Sequence, residues 1–153
     1  MLETPHALVG AAIATKIPDP FVAIPLAFAS HFLLDMVPHW NPHLNTEIKN
    51  YGSITSNSTV LVALDVLIAL ILGTFIAINF STNITHLITI LLGAFAAVLP
   101  DVVEGPYFFL NWKSKAIKKW LMFQKSIQAD TTPLPGLMTQ LATIICALWW
   151  IAS

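Results

Sequence analysis

The sequence predicts an all-α, polytopic integral membrane bundle, and three observations carry that expectation. Hydrophobic residues make up 56% of the 153 residues and charged residues 10%, against about 25% charged in an average soluble domain. Mean hydropathy is +0.75. The apolar residues are gathered into five stretches, 5–17, 21–37, 59–80, 84–103 and 134–152. Seven lysines and eight acidic residues are too few to coat a water-soluble globule, and the composition is equally foreign to a disordered chain. One membrane domain over 1–153 is expected, with about five membrane-inserted helices.

The first stretch, 5–17, is short for a span, which needs roughly 17–25 residues, and a re-entrant or half-inserted helix is the alternative. Pro18-Asp-Pro20 ends it. The second, 21–37, is about long enough and stops at Pro38. The third, 59–80, is full length and interrupted only by Asp65, while the fourth, 84–103, ends near Pro100-Asp101. The fifth, 134–152, carries Trp149 and Trp150 at its end, where tryptophan anchors a helix at the interface. No basic n-region or cleavage site marks the start, so no signal peptide is expected. The lone Cys146 excludes an internal disulfide.

Two connectors are long. In 105–133 the apolar residues Phe109, Trp112, Ala116, Trp120, Phe123 and Ile127 recur at spacings of three and four, interleaved with Lys113, Lys115, Lys118, Lys119 and Lys125. That pattern predicts a basic amphipathic helix over about 107–128 lying among lipid headgroups. A helix packed on the bundle is the alternative. Five of the seven lysines lie here, which places this connector in the cytoplasm. Alternation then places the N-terminus and the 38–58 connector on the same side and the C-terminus outside. Net charge is −1 and arginine is absent, so no nucleic-acid partner is expected. Membrane lipid is.

Ionisable residues inside spans are costly, about 2.5–3.5 kcal/mol each at a helix centre. Here His31, Asp35, Asp65 and Asp101 lie within or at the ends of spans, with His6 and Glu104 flanking. In the topology above all six fall toward one membrane face, on the cytoplasmic side, the deepest about 10 Å in. His86 falls at the opposite end and is set aside. His31 and Asp35 are i,i+4 and share a helix face, Pro38 allows His39 to turn back, and Asp101 and Glu104 are i,i+3. A mixed imidazole–carboxylate set suits zinc or a similar divalent ion, which neutralises buried carboxylates and lowers the pKa of a water ligand toward 7 to give a hydroxide nucleophile. Each residue also has an ordinary reading: a solvated His6, a His31–Asp35 pair, a neutral or proton-relaying Asp65, and boundary acids at Asp101 and Glu104.

The motifs His6-Ala-Leu-Val-Gly10, His31-Phe-Leu-Leu-Asp35-Met-Val-Pro-His39 and Leu99-Pro-Asp101 resemble those of small membrane-bound metal-dependent hydrolases, similar in turn to the zinc-dependent phospholipase C superfamily. The likeness covers roughly 4–43 and 93–106. It implies a helical bundle, metal ligation by His6, His31, Asp35, His39 and Asp101, and phosphoester hydrolysis. The 123–128 segment departs from it by offering glutamines and no histidine. The expected function is therefore a metal-dependent phosphoester hydrolase of the membrane, with one or more divalent ions, zinc favoured, and lipid headgroups as the favoured substrate, acting through a metal-held hydroxide with Asp65 or Glu104 as base. An ion, proton or metal transport module and a metal-stapled, non-catalytic membrane protein are the alternatives.

Overall fold

The computed structural model describes residues 1–153. It has eight helices and no strand: α1 (Glu3–Lys16), α2 (Pro20–Asp35), α3 (Leu44–Tyr51), α4 (Ser56–Phe80), α5 (Ile84–Val102), α6 (Gly105–Phe109), α7 (Lys115–Ile127) and α8 (Pro133–Ala152). Helix starts follow local chemistry. Asp19 caps α2 with Pro20 at its first position, Thr55 caps α4, Asn83 caps α5 and Ser114 caps α7, each accepting from backbone N–H groups that no intrahelical carbonyl reaches. Gly52 ends α3 in the left-handed conformation, φ 77°.

Three helices, α4, α5 and α8, are long and apolar enough to cross a membrane, fewer than the five inserted helices expected. With 14 and 16 residues, α1 and α2 are about 21 and 24 Å long, short of a hydrocarbon core of about 30 Å. The long helices leave Leu67, Leu70, Ile71, Phe75 and Ile78 of α4 and Leu134, Leu141 and Trp149 of α8 exposed. In water so much exposed apolar side chain would drive association; in lipid it meets its own solvent.

The short α1 is the most enclosed element. It packs against α2, α4, α5 and α8, and Leu8, Ala11, Ala12 and Ala14 are wholly buried. A helix apolar all round is a core helix. Its closest neighbour is α5, where small residues let the backbones meet: a Cβ on Gly10 would lie 2.6 Å from the Ala97 Cβ, and one on Gly93 would lie 2.7 Å from the Ala14 Cβ.

The basic connector differs from the single helix expected over about 107–128. It is broken into α6 and α7, with Asn111 at φ 54° between them and Ser114 restarting the helix. Its apolar stripe is divided as well. Trp120 and Phe123 stack around Phe32 of α2, at 6.1 and 5.9 Å between ring centroids, and the Trp120 indole donates to Pro100 O at 2.9 Å. Met122, Trp112 and Leu110 stay exposed. The 38–58 connector contains α3, which its polar composition did not announce.

Candidate metal centre

Antiparallel packing brings the start of α1, the ends of α2 and α5, and the middle of α7 to one end of the bundle. His6, His31, Asp35 and His39 are all fully buried there. Asp35 is at the hub. His6 Nε2 lies 3.3 Å from Oδ1, His39 Nε2 3.7 Å from Oδ1, and His31 Nε2 3.5 Å from Oδ2. The Met1 ammonium pairs with Oδ1 and also donates to His6 Nε2 at 3.2 Å. The Gln128 amide donates to Oδ2 at 3.3 Å. Asp35 therefore has direct charge compensation.

Two histidines are fixed by backbone carbonyls. Nδ1 of His31 lies 2.8 Å from Ala97 O, and Nδ1 of His39 lies 2.8 Å from Val37 O. A carbonyl only accepts, so each ring carries its proton on Nδ1, and in the neutral ring Nε2 is a lone pair. Burial and the nearby Met1 ammonium hold His39 below its ordinary pKa, which keeps that ring neutral. An isolated bridge to Asp130 pins His39 through its backbone: its N–H donates to Ala129 O at 3.0 Å and its carbonyl accepts from Thr131 N at 3.0 Å.

Around His31 Nε2 stand three oxygens: Gln124 Oε1 at 3.0 Å, Asp35 Oδ2 at 3.5 Å and Asp101 Oδ1 at 3.6 Å. One ligand atom from each of His6, His31 and Asp101 lies within 4.8 Å of the others. The His6 and His31 rings stack at 4.1 Å. His6 Nδ1 and His39 Nε2 are buried without a hydrogen-bond partner. At His31 the lone pair of the neutral ring faces oxygen lone pairs in a buried space, a poor arrangement for hydrogen bonding and a good one for a divalent cation, so the residues fit one. Carbonyl-anchored imidazoles are also how metal-ligating histidines are oriented.

Asp65 lines the cavity beside this cluster but is engaged by the start of α1. Its carboxylate accepts from Glu3 N at 2.5 Å, Thr4 N at 3.2 Å and the Thr4 hydroxyl at 2.6 Å. Those bonds seat the start of α1 and leave little capacity for proton abstraction. His86 stands apart: Nε2 lies 3.1 Å from Ala14 O and Nδ1 accepts from Thr82 N at 3.2 Å. Glu104 joins the cluster through Gln124, whose amide donates to Glu104 Oε1 at 2.9 Å and to Asp101 Oδ1 at 3.1 Å. Burial pushes the Glu104 carboxyl up to about 8, reinforced by the Asp101 charge against the pull of the Gln124 bond.

Sequence reasoning missed Glu3, Gln124 and Gln128. Glu3 Oε2 is buried and unpartnered beside the cluster. A carboxylate next to the chain start and two amides on a helix read as interfacial gave no signal of their own. A cavity of about 170 Å³ opens beside the site, reached by Glu3, Asp101, Glu104, Gln124 and Lys125. Comparison of the chain with protein-family models, curated proteins and solved structures gave no match.

Proposed function

We propose that this protein is a metal-dependent hydrolase of the membrane that cleaves a phosphoester, a lipid headgroup being the substrate class. The observation that carries the reading is the meeting of His6, His31 and Asp101 within 4.8 Å, with Asp101 also lining a cavity of about 170 Å³. The motif resemblance to zinc-dependent phospholipases adds to it. His6, His31 and Asp101 would hold the cation, with Asp35 and His39 behind them. When bound, a cation such as zinc supplies Lewis-acid polarisation of the phosphoryl group and acidifies a water ligand.

The chain's own groups have separable tasks. Ala97 O and Val37 O orient His31 and His39, and Asp35 supplies negative charge 3.3–3.7 Å from all three imidazoles. Glu104, which holds its proton to about pH 8, can give that proton to a leaving oxygen at neutral pH. Asp65, which lines the same cavity, anchors the start of α1 in this reading. Lys125, at the cavity rim, offers a positive charge to an anionic headgroup.

In the same reading α1 and α2 are inserted beside the three long helices, giving five. The α6–α7 segment rests on the headgroups, with Lys115, Lys118, Lys119 and Lys125 exposed. The lysine bias supports a cytoplasmic position for this end of the bundle. A transport path would need polar groups through the whole membrane; the far half holds His86, already satisfied by Ala14 O and Thr82.

Metal analysis of purified protein and of His31→Ala and Asp35→Ala tests the reading. Metal is expected in the wild type and depleted in both variants. Near-zero metal in all three removes it. With metal present, turnover of a phosphodiester in mixed micelles distinguishes a hydrolase from a metal-stapled core.

A further inference from the structure

Gln124 is the one buried amide at the centre of the site. Its residue is 2% exposed, although α7 otherwise buries only Leu121. Both amide N–H groups are directed at acids, Asp101 Oδ1 at 3.1 Å and Glu104 Oε1 at 2.9 Å. That double donation fixes the orientation of the group and turns its carbonyl oxygen toward His31 Nε2, 3.0 Å away. The His31 ring donates its Nδ1–H to Ala97 O, so in the neutral ring two electron-pair donors face each other. An amide oxygen and an imidazole lone pair do not attract one another, but both bind the same cation.

We infer that Gln124 Oε1 is itself a cation ligand, joining His6, His31 and Asp101, and that it widens the site's choice from zinc to divalent ions that accept mixed nitrogen and oxygen ligation, manganese above all. Thiolate is absent from the cluster, two ligands are imidazoles and two are oxygens. Imidazole suits zinc, whereas carbonyl and carboxylate oxygen suit manganese. Because Gln124 belongs to α7, the cation would also fasten that helix over the site, and binding at one is linked to docking of the other. The inference rests on the reading of His6, His31 and Asp101 as a cation site.

The test is titration of metal-free protein with Mn²⁺ and Zn²⁺, using wild type, Gln124→Leu and Gln124→His. Amide hydrogen exchange over residues 115–127 is followed with and without metal. Gln124→Leu should weaken Mn²⁺ binding by about 10-fold or more, the scale on which a lost supporting group acts. Gln124→His should raise the preference for zinc over manganese by about 10-fold and shift the visible bands of the Co²⁺-loaded protein. Metal should protect 115–127 in the wild type and not in Gln124→Leu. If Gln124→Leu fails to fold, the zinc-to-manganese ratio of Gln124→His decides. Wild-type binding with unchanged affinity, ratio and Co²⁺ bands in the folded variants overturns the assignment of Gln124 alone. No divalent binding by the wild type overturns it together with the cation site.

Discussion

The Asp65 carboxylate accepts the Thr4 hydroxyl at 2.6 Å across 61 residues of sequence. It also accepts the first free backbone N–H groups of α1, at Glu3 and Thr4. A charge placed two turns into an apolar helix thus anchors the start of the central helix, in the manner of an N-cap supplied from another element. Asp65→Ala should destabilise the fold by about 1–3 kcal/mol, since it strands buried donors. Metal bound per folded molecule should stay unchanged. Thermal unfolding followed by tryptophan fluorescence, with metal analysis of the folded fraction, checks both; intact stability with lost metal would instead make Asp65 a ligand.

Asp101 lacks the ammonium partner that Asp35 has in Met1 and lies 3.6 Å from His31 Nε2. Asp101→Asn keeps the shape and removes the charge. It should weaken divalent-cation binding by about 10-fold or more, on the scale of 1.4 kcal/mol per decade. His86→Gln, at the other end of the bundle beside Ala14 O, should leave that affinity as it is. Calorimetric titration of both variants tests the pair, and equal effects would deny that the site is local.

The α1–α5 contact sets a packing prediction. Gly10→Ala places a methyl 2.6 Å from the Ala97 Cβ and against Gly93 O, and overpacking of that kind costs about 1–3 kcal/mol. Gly73→Ala meets only the Ala94 Cβ at 3.6 Å, an ordinary contact, and gains helix propensity of about 1 kcal/mol. Melting temperatures in one detergent should move in opposite directions.

The exposed lysines of α7 give a prediction about lipid. With about 1 kcal/mol per basic residue near an anionic surface, residues 115–127 should exchange their amides more slowly in nanodiscs containing phosphatidylserine than in phosphatidylcholine alone. Lys118→Glu with Lys119→Glu should abolish the difference. With Lys118→Cys in a Cys146→Ser background, a membrane-permeant maleimide should label intact cells and an impermeant one should not, and labelling by the impermeant reagent would reverse the topology.

The sequence by itself determined the helical class and the ends of the long helices. Apolar run length and proline stops act within a few residues, so they are visible in one dimension. It also singled out His6, His31, Asp35, His39 and Asp101, because an ionisable group in an apolar run has to be compensated somewhere. Only the tertiary structure decided what compensates each. Asp65 turned to the start of α1 and His86 to Ala14 O, while Asp35 collected three imidazoles and an ammonium. Gln124 was invisible because a glutamine on an amphipathic helix has no reason to be buried until the helix docks. Its role arises from the docking of α7 against the ends of α2 and α5, and no spacing within 115–127 encodes that docking.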